Sequence, residues 1–388
     1  MEYVKLGNIV DYRKGYAFKS SLYTDTGVMV VRVSDFTLDG ISENDAVYIE
    51  EEKVYDRHLL QYGDILIQTV GSWANNPNSI VGKVVRVPKL STKAYLNQNI
   101  VKLIPKESVD NTYLFYSLKA NHFSLYCVNR GQGAANQASI TLETILRFKF
   151  LVHSTKEQRR IASILSAYDN LIENNNRRIR LLEQMAENLY KEWFVRFRFP
   201  GHEKEEFENG LPKGWKRVPL KTICKFERGK NITASEMISG SVPVISAGVS
   251  PSGFHNKSNV FGASVTISSS GANAGFISIH YEDIWAADCS FVSEESTKYI
   301  YYVYEVLNNM RPVVDNLQRG AAQPHVYPKD LNRILVVVPE EHIREKANDR
   351  FYQLHQLISK LLQQNKHLSC QRDLLLPRLM SGKLEVKC

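Results

Sequence analysis

At 388 residues, 43% of them hydrophobic and 23% charged, the chain is too long for one ordinary domain and too apolar for wholesale disorder. Its 49 Lys and Arg exceed the 41 Asp and Glu, a modest basic excess that suits a polyanionic partner without requiring one. No run approaches the roughly 18 apolar residues of a membrane helix, and no apolar signal core follows Met1. Cysteines at 127, 224, 289, 370 and 388 include no CxxC pair, which argues against a disulfide framework or zinc knuckle and for a reducing, cytoplasmic setting.

In chain order, residues 1–153 read as one α+β domain, with short Val-, Ile- and Tyr-rich runs broken by turn residues. Gly63–Val70 reads as a strand followed by a polar loop over 71–78, and a short helix is predicted near 111–121. From 154 to 199 the pattern becomes helical. Ser154 or Thr155 can cap this helix, with Glu157 completing a capping box. Its apolar ladder is Ile161, Leu165, Tyr168, Ile172, Asn175, Ile179, Leu182, Ala186, Leu189 and Trp193, in steps alternating four and three, which is a coiled-coil seam.

Residues 200–339 return to the first texture, with a strand at Gly262–Ser268, a glycine-bearing loop over 269–275 and a short helix near 297–309. Residues 340–388 form a second helix with the ladder Ala347, Phe351, Leu354, Ile358, Leu361, Asn365, Leu368, Arg372, Leu375 and Leu379. Both helices are expected to end at prolines, Pro200 and Pro377. A helix of about 38 residues is roughly 57 Å long. A stripe that long and narrow finds its natural partner in the other helix. Asn175 and Asn365 each put one polar residue into a seam, a device that fixes register.

The second half repeats the first. Asn129–Gln137 resembles Leu317–Pro324, and setting Gln137 on Gln323 gives an offset of 186 that carries Ile140 onto Val326, Ile145 onto Leu331 and one helix ladder onto the other. Catalytic motifs are missing: no phosphate-binding Walker loop, no GxSxG elbow, no HExxH, no glycine-rich dinucleotide loop and no Asn-Pro-Pro-aromatic methyltransferase motif.

Two similar, diverged domains suit two separated patches on an extended target, and duplex DNA is such a target. Amide side chains pair bidentately with adenine, while Arg and Lys serve guanine or phosphate. In the first half this selects Arg13, Lys14, Lys19, Arg32, Gln68, Ser72, Trp73, Asn75, Asn76, Asn97, Gln98, Arg130, Gln132, Asn136 and Gln137. In the second it selects Arg228, Lys230, Ser269, Ser270, Asn273, Gln318, Arg319, Gln323 and His325.

Several segments, in order and duplicated, resemble the specificity subunit of type I restriction–modification systems over essentially the whole chain. They are Leu6-Gly7-Asn8-Ile9 through Lys14-Gly15, Gly63-Asp64-Ile65-Leu66, Gly131-Gln132-Gly133, Lys156 through Asp169, and Leu375 through Leu384. The resemblance implies two target-recognition domains, each reading half of a bipartite asymmetric duplex site, and an antiparallel coiled coil acting as a ruler between them. It implies no catalysis and no cofactor in this chain. The implied partners are two methyltransferase subunits carrying S-adenosylmethionine and, in a full complex, restriction motor-nuclease subunits. Glu340-Glu341-His342-Ile343 departs from the Glu157-Gln158-Arg159-Arg160 start of the first helix. The residues leave open whether a restriction subunit is present, and whether the chain is instead a scaffold joining two protein-binding domains.

Overall fold

The structure, a computed structural model, describes residues 2–37, 40–73, 79–134, 137–320 and 324–384. It divides into two compact units, Met1–Glu173 with Asn365–Cys388, and Asn174–Gln364. Each unit thus holds one α+β body and a length of each long helix.

In unit 1 the strands are β1 (Glu2–Lys5), β2 (Val10–Lys14), β3 (Val28–Val31), β4 (Val47–Ile49), β5 (Ile65–Gln68), β6 (Val70–Gly71), β7 (Val84–Arg86), β8 (Ala94–Leu96) and β9 (Ile100–Pro105). Helices α1 (Asn111–Lys119) and α2 (Asn121–Arg130) follow, then β10 (Gln132–Ala134), β11 (Gln137–Ser139) and β12 (Lys149–Val152). An antiparallel sheet of order β2-β9-β5-β7 forms the centre. Alternate residues on a strand point to opposite faces. Ile65, Ile67 and Val101 therefore join α1, α2 and the long helices in one core, while Leu66, Val85 and Ile100 join the sheet β4-β3-β8 in another. Both faces being covered explains why Ile65-Leu66-Ile67 is an unbroken apolar run. Helix α1 is capped by Asp110, whose carboxylate accepts the Tyr113 N–H at 2.9 Å. Helix α2 was not expected from the sequence; the extended backbone of Ala120 interrupts its continuity with α1.

Unit 2 repeats this plan after a hairpin of β13 (Phe207–Glu208) and β14 (Leu211–Pro212), turned by Asn209 and Gly210 at positive φ. Its strands are β15 (Lys216–Pro219), β16 (Glu227–Arg228), β17 (Val242–Ile245), β18 (Gly253–His255), β19 (Ser264–Ser268), β20 (Ile277–His280), β21 (Trp285–Ala286) and β22 (Cys289–Ser293). The central sheet is β16-β22-β19-β20 and the second sheet β18-β17-β21. A helix over Ile300–Asn309 and strand β23 (Leu335–Val338) complete the body.

Equivalent hydrogen bonds recur in the two units, their acceptors 186 residues apart and their donors 214 and 189 apart. Leu6 N–H donates to Phe148 O at 2.8 Å, as Leu220 N–H does to Ile334 O at 2.8 Å. The Tyr113 hydroxyl donates to Leu151 O at 2.9 Å, and the Tyr302 hydroxyl to Val337 O at 3.1 Å. In both units a strand near the start pairs antiparallel with the strand leading into a long helix: β1 with β12, β15 with β23.

The first long helix, α3 (Thr155–Tyr190), is capped by Ser154 rather than Thr155: Ser154 N–H donates to the Glu157 carboxylate at 3.0 Å, and Glu157 N–H returns to Ser154 Oγ at 3.4 Å. The second, α4, spans Glu341–Met380. The helices run antiparallel in both units. In unit 1, Ile161 and Leu165 share a core with Leu376 and Leu379, and Asp169 meets Arg372. In unit 2, Asn175 meets Gln364, Ile179 clusters with Ile358 and Leu361, and Ala186 lies in one core with Phe351. Tyr168, Ile172, Leu182, Leu189, Leu354, Leu368 and Leu375 are partly buried along the same ladders.

The helix ends depart from expectation. Helix α3 passes into a wider π turn at Lys191–Val195 and stops at Phe197, where φ is +56°, short of Pro200. Helix α4 continues through Pro377 to Met380. A proline in the last turn removes only one hydrogen bond, and burial of Leu376, Leu379 and Met380 in the unit 1 core holds the turn until Gly382, at φ +70°, ends it.

Asn175 is buried and donates from Nδ2 to Gln364 Oε1 at 3.1 Å. Losing that bond costs about 1 kcal/mol, whereas burying a leucine beside Ile179 and Leu361 returns more. Asn175→Leu should therefore raise the denaturant midpoint of unit 2, by about 1 kcal/mol in stability; a lower midpoint would show that the polar pair itself stabilises the seam.

Candidate nucleic-acid interface

The antiparallel order of the unit 1 sheet brings the ends of β2 and β5 and the starts of β7 and β9 to one edge. At this edge β2 closes against the 96–100 segment: Gly15 N–H donates to Ile100 O at 3.2 Å and Tyr16 N–H to Leu96 O at 2.9 Å. A Cβ on Gly15 would overlap the Asn97 carbonyl oxygen, so only glycine fits. Thr69 ties the edge together. Its N–H donates to Asn99 O and its carbonyl accepts from Ile140 N–H, both at 2.9 Å. The β10–β11 hairpin is thereby docked on the edge, with Ala138 paired to Gly71.

Along this hairpin gather Arg130, Gln132 and Gln137, all exposed, with Ser72 and Trp73 partly exposed beside them. Trp73 Nε1 donates to Ala134 O at 3.0 Å. The Arg130 guanidinium lies 4.1 Å above the Tyr126 ring, which fixes its plane. Lys14, Lys19 and Gln98 are exposed, and Arg13 donates to the Arg57 carbonyl.

Three expected contacts in unit 1 are instead structural. Gln68 is wholly buried and donates from Nε2 to Ser79 O at 2.9 Å, because 79–83 folds over the strand end. Asn97 is buried where the chain crosses Gly15. Arg32 is clasped by buried Asp35 at 2.8 Å and by Asp45 O at 2.6 Å, closing a local turn. Asn75, Asn76, Asn136 and Gln323 lie outside the described residues.

Unit 2 builds the same edge with different chemistry. Gly229 N–H donates to Cys289 O and Lys230 N–H to Ala286 O, both at 2.9 Å; a Cβ on Gly229 would strike the Ala287 carbonyl. Val326 N–H donates to Ser269 O at 3.0 Å, the counterpart of Ile140 to Thr69. Beside it Arg319 and His325 bond each other's backbones, and Ser270 bridges to His325. Arg228, Lys230, Asn273, Gln318 and Arg319 are exposed here. Gln318 donates to Ala274 O at 2.9 Å, Arg319 pairs with Asp330 at 3.0 Å, and His325 stacks on Tyr327. Ser269 is only 1% exposed, so it too is withdrawn from the surface.

Sequence reasoning missed Tyr126, Tyr327 and above all Asp288. The Asp288 carboxylate accepts from Arg228 Nη2 at 3.1 Å and from Ser270 Oγ. No sequence signal marks it, since its partners stand 60 and 18 positions away.

Beside this sheet a cavity of about 110 Å³ is lined by Pro243, Ile245, Val249, Phe276 and the Thr266–His280 pair, in contact at 2.8 Å. Burial pushes the His280 imidazole down to about 4. The unfolded side chain titrates near about 6.5, so on acidification the unfolded state binds its proton first. His280 therefore contributes stability above about pH 6.5 that is lost as pH falls to 4. His280→Leu should flatten this part of the stability profile of unit 2; an unchanged slope between pH 6.5 and 4 would contradict the assignment.

Residues 1–184 and 212–368 each match the family model described as the type I restriction modification DNA specificity domain. The chain belongs to this family. It is 26% identical over 320 residues to the type I restriction enzyme MjaIX specificity subunit of Methanocaldococcus jannaschii, covering 75% of this chain and 73% of that protein. To the putative MjaX specificity subunit of the same organism it is 23% identical over 382 residues, covering 93% and 88%. Among solved structures it resembles the type I restriction–modification S subunit of M. genitalium, with a TM-score of 0.59 at 17% identity over 100% of this chain and 96% of that one. This specificity-family fold, duplicated and joined by paired helices, is the architecture described above. No helix among the described residues is long and apolar enough to cross a membrane.

Proposed function

We propose that this chain is the sequence-reading subunit of a type I restriction–modification complex, in which each unit reads one half of a bipartite, asymmetric duplex DNA site. The observation that carries the reading is the repeated edge: the same glycine crossing and the same bond from Ile140 to Thr69, or Val326 to Ser269, recur in both units, lined by different side chains. Residues 1–153 and 200–339 serve as the reading domains. Arg13, Lys14, Lys19, Gln98, Arg130, Gln132 and Gln137 act in the first, and Arg228, Lys230, Asn273, Gln318, Arg319 and His325 in the second. The paired helices carry the spacing between half-sites and the docking of partners. The chain performs no chemistry of its own. Methylation belongs to two methyltransferase subunits holding S-adenosylmethionine, and cleavage to restriction subunits where they are present, all in the cytoplasm.

Phosphate contacts make affinity salt-dependent, log K falling by about 0.9 per phosphate neutralised for each unit of log salt. A duplex titration of the chain with its methyltransferase partner should give a steep linear slope. A flat one would leave the fold serving protein partners alone.

A further inference from the structure

Resting on the duplex-reading proposal, we propose that Arg228 reads a guanine in the half-site of unit 2 and that Asp288 positions it for the task. Arg228 is the last residue of β16, immediately before the glycine crossing, with its side chain 46% exposed. Its Nη2 donates to Asp288 Oδ1 at 3.1 Å, and the other Asp288 oxygen accepts the Ser270 hydroxyl. The carboxylate is thus held from a neighbouring strand end and fixes the guanidinium in turn. A guanidinium carries five N–H donors in one plane, so a single carboxylate contact leaves donors for a second acceptor pair. Guanine presents such a pair, O6 and N7, in the major groove, and arginine is its usual bidentate partner. Fixing the plane beforehand lowers the entropy lost on binding. Lys230, two residues on, has a flexible stem and suits a phosphate better.

Thr69 N–H donates to Asn99 O just as Ser269 N–H donates to Asp288 O, at 2.9 and 3.2 Å, and Gly15 stands where Gly229 does. Unit 1 therefore has Lys14 and Asn99 where unit 2 has Arg228 and Asp288. A lysine and an asparagine at these positions supply no planar guanidinium fork, so the position of the half-site facing them should differ in base.

The test is selection of bound duplexes from a random pool by the complex with its methyltransferase partner, using the native chain, Arg228→Ala, Arg228→Lys and Asp288→Asn. The native complex should enrich two half-sites, one with a guanine whose preference over other bases falls about tenfold to a hundredfold in Arg228→Ala. Arg228→Lys should not restore it, Asp288→Asn should weaken it in part, and the other half-site should be unchanged in all three. Thermal unfolding of each variant alongside separates lost reading from lost folding. Uniformly weaker binding with the guanine retained would make Arg228 a phosphate contact and overturn the proposal while leaving the duplex reading intact. Enrichment of no half-site by the native complex would overturn the duplex reading itself.

Discussion

Replacing Arg372 by alanine is expected to destabilise unit 1 by roughly 3–5 kcal/mol, the cost of leaving a buried charge without its partner. An arginine in an apolar ladder looks out of place until its surroundings are counted. Its side chain is 6% exposed, with Nη1 2.5 Å from Asp169 Oδ1 and Nε 2.9 Å from Asp373. Asp169 also accepts the Tyr116 hydroxyl at 2.5 Å, so one carboxylate joins α1, α3 and α4. Without the guanidinium that carboxylate keeps the Tyr116 hydroxyl but loses its counter-charge in the seam. Denaturant unfolding of the variant, with hydrogen exchange over 155–173, should show the loss concentrated where α3 faces α4. The double replacement Asp169→Asn with Arg372→Leu should recover most of it, since neither charge then remains. A loss below about 1 kcal/mol in Arg372→Ala would mean that the pair behaves as an exposed one.

Gly229→Val is expected to abolish reading by unit 2 and cost at least about 1–3 kcal/mol through overpacking. The backbone angle is not the obstacle; space is. A Cβ there would collide with the Ala286 and Ala287 carbonyls, and moving those residues carries Asp288 away from Arg228 and Ser270. Duplex selection with this variant should keep the half-site of unit 1 and lose the other. The mirror change, Gly15→Val, should do the reverse through the Asn97 carbonyl. Equal loss of both half-sites in either variant would contradict independent reading edges.

What the sequence made legible was whatever depends on periodicity. The two ladders alternate four and three because a seam between long helices needs that spacing, and the 186-residue offset persisted because the helices and the strands feeding them keep one packing arrangement. The candidate interface was legible only in composition. Gln68 looks like a polar strand end, yet its burial depends on the 79–83 turn closing over it. Arg32 lies three residues before Asp35, a spacing that in retrospect announces a local clamp. Asp288 had no such announcement, because its partners are neighbours only once the sheet has formed. Pro377 misled for the opposite reason: the local rule against proline in helices is weakest in a last turn that tertiary packing already holds.

The proposed function requires that two equivalent edges read two different half-sites. Its most direct measurement is selection of bound duplexes by the native chain with its methyltransferase partner. Two short, different sequence elements separated by one fixed non-specific spacer are expected. A single contiguous element, or no enrichment by a folded complex, would contradict it.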